Sequence, residues 1–276
     1  MSSSNEVCPS AVVVDADNTL WDTHAVFEDA RRRMISVLVD GPFGNRTGGV
    51  DGEYRAVFRQ LAGRLSLITG QNDLAVLARG MAVFLSDQGP TSEEKRVEWA
   101  AQRVQNRRIP EDDAAEACIQ AAAESFQMAL RTPPPLLDGA ELLLRNIRDW
   151  TTAHPEHRWS VLFSEGAPDR LQFAFEAHEI ERGDQFDSIV LREKIPAAFE
   201  AVWEGIEDAL ASPTDESHVV TIGDSLKRDI QPANNLGWTT IYCPGDFKGH
   251  ETPDTESEAP DYTVSSLHEA LDLLRL

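Results

Sequence analysis

The sequence predicts an α/β protein: a parallel sheet core with an all-helical domain inserted after the first strand. Three observations predict it. Short runs of apolar, largely β-branched residues recur along the chain and stop at polar residues. Amphipathic helical patterns lie between those runs. From residue 22 to 132 the alternation lapses and only helical patterns are found.

The first run, Ala11-Val12-Val13-Val14, leads into Asp15. An apolar run without polar alternation suits a strand covered on both faces. Helical patterns then occupy 25–39, 54–67, 74–85 and 112–130, with a glycine-rich piece at 41–52 between the first two. Thr132-Pro133-Pro134-Pro135 closes the region, because proline ends a helix and stiffens the return to the sheet. An insertion of about 110 residues is large enough for a small domain. The expected boundaries are 10–21 with 133–276 for the sheet domain and 22–132 for the helical one.

Beyond the insertion, Leu142, Leu143, Ile147 and Trp150 share one face of a helix opened by Asp138. Val161-Leu162-Phe163 then runs into Ser164, and Ser188-Ile189-Val190-Leu191 comes shortly before Lys194. Phe199, Val202, Trp203, Ile206 and Leu210 mark a further helical face. Val219-Val220-Thr221-Ile222 leads into Gly223-Asp224, and 229–236 reads as a short helix stopped by Gly237. The last run, 239–243, ends at Pro244-Gly245, and 249–260 reads as a solvated acidic loop. Strands alternating with helices give a Rossmann-like parallel sheet, whose ligands sit at the carboxyl ends of the strands.

Composition narrows the partners. The chain has 276 residues, 41% of them hydrophobic, and a net charge of −22 from 47 acidic and 25 basic side chains. Such a balance opposes nucleic acid and anionic membranes, whose binding rests on basic surfaces. A small phosphorylated molecule is still admissible where a metal ion and a few aimed donors reverse the local field. Three scattered cysteines fit a reducing compartment, and no stretch reaches the apolar length of a membrane span. The start, MSSSNEVCPS, has no signal-peptide pattern. A cytoplasmic location is expected, and a homodimer is left open.

The polar residues at the strand ends carry the chemistry. In Asp15-Ala16-Asp17-Asn18-Thr19-Leu20, extended backbone turns side chains two apart to the same side. Two such carboxylates resist joint ionisation unless a cation or proton lies between them. That suits a divalent metal and a division of labour: one carboxylate attacks, the other holds a proton for a leaving group. The same residues also suit a turn or helix cap. Gly223-Asp224-Ser225-Leu226-Lys227-Arg228-Asp229 supplies further oxygen ligands of the kind Mg²⁺ takes. Ser164, with Glu165-Gly166 behind it and Pro168 opening a helix, offers a hydroxyl and main-chain N–H groups for a phosphoryl oxygen. Lys194 can neutralise carboxylates or reach a phosphate, and Arg192 is its rival.

Taken together, Asp15–Asp17, Ser164, Lys194 and Asp224–Asp229 resemble the four motifs of the haloacid dehalogenase superfamily of phosphohydrolases. The resemblance covers about 10–21 and 135–245, with the helical insertion where that superfamily places a cap of its first type. It implies that Asp15 forms an aspartyl-phosphate and that Asp17 protonates the leaving alcohol, then deprotonates water. It implies Mg²⁺ held by the Asp15 carboxylate, the Asp17 carbonyl and Asp224, with Asp229 ordering that shell. Ser164 and Lys194 would hold the transferring oxygens, with Thr19 positioning the loop. Two departures stand out: Asn18, where glycine is common, and Glu165, an acid beside the phosphate site. A mutase, a dehalogenase and a non-catalytic binding protein on the same fold are the alternatives.

Other features are read as structural. His154-Pro155-Glu156-His157 reads as a surface loop, Arg31-Arg32-Arg33 as a solvated helix face, and Trp99, Trp159 and Trp238 as packing residues. Trp21 suits either contact with substrate or burial against the helical domain.

Overall fold

Each apolar run of the sheet domain becomes a strand. They are β1 (Ala11–Val14), β2 (Trp159–Ser164), β3 (Ser188–Leu191), β4 (Val219–Gly223) and β5 (Thr239–Tyr242). A sixth, β6 (Tyr262–Thr263), was not expected, since two residues carry no periodic signal. The computed structural model describes residues 8–43, 54–69, 73–86, 89–106, 113–180, 185–211, 215–245, 251–274 and 276. The glycine-rich piece from 44 onward, the opening of the 112–130 helix and the 249–250 start of the acidic loop lie outside them.

The strands form one sheet in the order β3-β2-β1-β4-β5-β6, and every pairing is parallel. Val14 pairs with Leu162 on one side and Ile222 on the other. The chain leaves β1 toward β2 and β3, then returns to β4 on the opposite side. The order therefore reverses between β1 and β4, where a crevice for ligand opens outside the strand ends.

Helices cover both faces, which is why β1 is apolar throughout. Val12 and Val14 point to one face and share a core with Leu143, Leu144 and Ile147 of α6 (Ala140–Ala153), Phe175 of α7 (Pro168–Ala177) and Leu271 of α10 (Leu267–Leu274). Ala11 and Val13 point to the other, among Phe199, Val202 and Ile206 of α8 (Pro196–Ala209). After β4, a π-helical turn (Leu226–Ile230) leads directly into α9 (Gln231–Asn235), which ends at Gly237 with φ +78. Glycine adopts that left-handed conformation at no steric cost.

The chain divides into two compact units: 1–24 with 133–276, and 25–132. The second is helical among the described residues. It holds α1 (Thr23–Asp40) from Ala25 on, then α2 (Arg55–Thr69), α3 (Leu74–Leu85), α4 (Glu93–Gln105) and α5 (Asp113–Ala129). Met34, Leu38, Leu61, Met81, Leu85, Val97 and Ile119 form its core. The sequence pattern did not reveal α4. Its buried face is only Arg96, Val97, Ala100 and Ala101, too small and too polar to register as an apolar stripe. No described helix is long and apolar enough to cross a membrane.

Three surface expectations are corrected. Leu142 is exposed and Leu144 takes its place on the buried face of α6. Arg31 is buried, its guanidinium held by Glu28, where a solvated face was expected. The 249–260 loop is pinned rather than loose: Glu258 is buried and accepts from Asp254 N, while Asn234 Nδ2 donates to the carbonyls of Ser257 and Ala259, each at 2.8 Å. The 154–157 turn is exposed, as its composition suggested.

Phe199 anchors the α8 face: it is 1% exposed, edge-on to Phe163 at 4.9 Å and tilted against Trp238 at 5.7 Å. Phe199→Ala is expected to cost about 3–5 kcal/mol, read as a lowered midpoint of urea unfolding; a loss below about 1 kcal/mol would show that this face repacks freely.

Candidate active site

The site grows from the end of β1. Asp15 N donates to Ile222 O at 2.9 Å, which continues the ladder by one bond and fixes Asp15 beside β4. The chain then turns sharply, with Leu20 N donating to Ala16 O and Asn18 N to Trp21 O. Asn18 takes φ +65, and its Oδ1 accepts from His24 N. Asparagine tolerates that left-handed position, so the departure from glycine is accommodated.

The turn brings charges together in a buried place. Asp15 accepts from Thr19 Oγ1 at 2.9 Å and from Lys194 Nζ. Lys194 Nζ donates as well to Asp229, whose other oxygen accepts from Ser225 N at 2.9 Å. Asp15, Asp224 and Asp229 each bring a carboxylate oxygen within 4.8 Å of the others, and all three are buried. Burial pushes the Asp15 carboxyl up to about 8; Lys194 opposes the shift, and Asp229 and Asp224 add to it. For Lys194, burial disfavours the charge, but Asp15 and Asp229 outweigh it and hold the amine above its ordinary range. Gly223 makes the arrangement sterically allowed, since a Cβ there would lie 2.4 Å from Cβ and Cγ of Asp229.

Asp17 faces a different set of groups. Its Oδ1 accepts from Trp21 Nε1 at 3.2 Å and Thr23 Oγ1 at 2.5 Å, and its Oδ2 from Arg170 Nη2 at 2.7 Å. The Asp17 side chain is thus not in the carboxylate cluster; the ligand role expected of this residue concerned its main-chain carbonyl. Trp21 is buried within its own unit, edge-on to Phe175 at 5.9 Å. Ser164 is fully buried at the end of β2, and its Oγ accepts from Gly166 N at 2.9 Å. A Cβ on Gly166 would lie 2.8 Å from Asp17 Oδ2, 3.1 Å from Ser164 Oγ and 3.4 Å from Arg170 Nη2, so these three groups converge on the glycine.

Glu165 is turned toward main chain and cation. One oxygen accepts from Lys194 N at 2.7 Å, and the other pairs with Arg228. It ties the β2, β3 and β4 loops together. Arg192, the rival to Lys194, donates its main-chain N to Ser164 O, and its side chain is exposed. Arg170 was missed by sequence reasoning. Its one signal is position: the first turn of the helix that Pro168 opens behind Ser164.

An α/β sheet with buried acids and a lysine at its switch point can be set beside known proteins. A family model described as HAD-hydrolase-like matches residues 195–270. The pyrimidine 5'-nucleotidase YjjG of Escherichia coli is 32% identical over 93 residues, which are 33% of this chain and 39% of that enzyme. The match therefore spans well under two thirds of the relative. Among solved structures, the HAD-hydrolase YfnB of Bacillus subtilis, bound to magnesium, superposes with a TM-score of 0.55 at 17% identity, covering 98% of this chain and 100% of that one. The 2-haloacid dehalogenase of Pseudomonas syringae gives 0.50 at 18% identity, covering 95% and 96%. At such identities the structural likeness speaks for the fold. The fold is thus the one found in haloacid dehalogenase structures, and residues 195–270 are similar in sequence to HAD-like hydrolases.

Gly223→Ala is expected to displace the Asp229 carboxylate from the cluster, and a Mg²⁺ ion held there would bind roughly 10- to 100-fold more weakly. Calorimetric titration of the folded variant reads this directly. Unchanged affinity would show that Asp229 does not order the cation site.

Proposed function

We propose that this protein is a hydrolase, a Mg²⁺-dependent phosphatase that cleaves a small phosphorylated metabolite through an aspartyl-phosphate on Asp15. The observation that carries the reading is the pairing of two differently held carboxylates two residues apart. Asp15 lies among buried acids against Lys194, whereas Asp17 is held by three donors away from that cluster. Environments that separate two carboxyls in this way assign them separate roles.

The donor set fits a hard divalent cation. Three buried carboxylates offer oxygen ligands only, the chemistry that Mg²⁺ prefers. The Asp15, Asp224 and Asp229 carboxylates with the Asp17 carbonyl would hold it, and bound there it neutralises charge that accumulates at phosphorus. The residues do the rest. An Asp15 carboxylate oxygen attacks phosphorus, the bond to the substrate's ester oxygen breaks with its electron pair, and that oxygen takes a proton from Asp17. Water then attacks the same phosphorus and breaks the bond to Asp15. Its proton passes to Asp17, which restores the acid. Lys194 and Ser164, with its neighbouring N–H groups, stabilise the transferring oxygens.

The 22–132 insertion is proposed as the superfamily's type-1 cap. The nucleotidase relative makes pyrimidine nucleoside monophosphates the first substrates to try. The cysteines Cys8, Cys118 and Cys243 are unpaired, which supports a reducing, cytoplasmic setting. Dehalogenation is the second reading, since a dehalogenase is among the structural relatives. A halide leaves without a proton, however, so that chemistry gives Asp17 and its donors no task.

Two experiments test this. Phosphate release should be measured from p-nitrophenyl phosphate and a panel of phosphorylated metabolites. Asp15→Asn is expected to abolish turnover while preserving the circular dichroism spectrum; an active variant would mean that the nucleophile lies elsewhere. EDTA should silence the wild type and Mg²⁺ restore it, and indifference to chelation would remove the metal from the mechanism.

A further inference from the structure

The donors around Asp17 distinguish its two oxygens. A carboxylate has about four lone-pair positions, two on each oxygen. Oδ1 accepts from both Trp21 Nε1 and Thr23 Oγ1, which fills it. Oδ2 accepts from Arg170 Nη2 and, among the described residues, from no other donor. Oδ2 is also the oxygen that lies beside Gly166 and Ser164 Oγ, where an added Cβ would meet it at 2.8 Å. The oxygen with the open lone pair is thus the one that lies beside Gly166, where Ser164 Oγ and Arg170 Nη2 also converge.

From this geometry we infer that Oδ2 is the proton-transferring oxygen of Asp17 and that Arg170 is the residue that positions it. The inference rests on the phosphatase reading and deepens it. Arg170 comes from the first turn of α7, a helix started by Pro168 and anchored in the core by Leu171, Ala174 and Phe175. The arginine is thus carried on a packed element rather than a loose loop, as positioning demands. Arg170 holds one lone pair of Oδ2 and aims the other. In the first step the proton on Oδ2 moves to the ester oxygen as the phosphorus–oxygen bond breaks. In the second step the same position receives the proton of the attacking water. A neutral side chain at 170 would leave the carboxylate tethered through Oδ1 alone, free to turn about that anchor.

The test separates the two steps with p-nitrophenyl phosphate, whose good leaving group does not need the acid. Pre-steady-state kinetics are recorded for wild type, Arg170→Met and Arg170→Lys, with thermal unfolding as the control on folding. In Arg170→Met the initial burst of p-nitrophenolate should persist while steady turnover, which needs water deprotonated, falls roughly 10- to 100-fold. With an alkyl phosphate both phases should fall. Arg170→Lys, which keeps a cationic donor, should recover part of the loss at unchanged thermal stability. If burst and turnover decline in proportion, or if lysine recovers nothing while the protein stays folded, Arg170 does not position Asp17. A wild type that releases no phosphate from any ester overturns the phosphatase reading, and this assignment falls with it.

Discussion

One buried lysine between two buried carboxylates is the constraint on which the site depends. Lys194 bonds Asp15 and Asp229, and Asp224 completes a group of three acids whose oxygens lie within 4.8 Å of one another. If all are ionised, one lysine leaves two negative charges in a place where solvent does not screen them. Taking uncompensated charge out of water costs several kcal/mol per ion, so the group must hold protons or take up positive charge. The raised Asp15 carboxyl is the first response. A divalent cation would be the second, since its two charges match those left when all three acids are ionised.

The fold is arranged to impose that crowding. Asp15 and Asp224 follow neighbouring strands at the place where the strand order reverses, with Asp15 N bonded to Ile222 O. Asp229 comes from the π-helical turn after β4, and its approach is possible because Gly223 has no side chain. Lys194 arrives from beyond β3, where Glu165 accepts from its main-chain N. β1 and β4, which end at Asp15 and Asp224, are buried on both faces, so these ends cannot spread apart without opening two cores. Packing holds like charges at a distance that electrostatics alone would not permit.

Much of this was legible in the sequence because the strands are short, continuous apolar runs that stop at polar residues. Such a run says where a strand ends, and in a parallel sheet the ends are where ligands bind. What was not legible has physical reasons. Two-residue β6 is below any period, and α4 buries an arginine and two alanines, which no hydropathy pattern marks as core. Arg31 was read as solvated from its neighbours, yet Glu28 one turn earlier receives it inside the helical unit. Arg170 shows the general limit. Its partner Asp17 is 153 positions away in the chain, and an arginine on an exposed-looking helix start has no local mark of its bond.

Glu165 shows how a departure from a family pattern is resolved by geometry. An acid beside a phosphate site would repel substrate if its charge faced the site. Here one oxygen is committed to Lys194 N and the other to Arg228, so the charge is turned into the framework. The carboxylate then serves the same end as Gly223 and Asn18, holding the loops that present Asp15. Asp17 differs: among the described residues its donors leave one lone pair of Oδ2 open, on the oxygen that lies beside Gly166. A site built only to expel halide has no use for that opening. One that must pass a proton to an alkoxide, and take one from water, does.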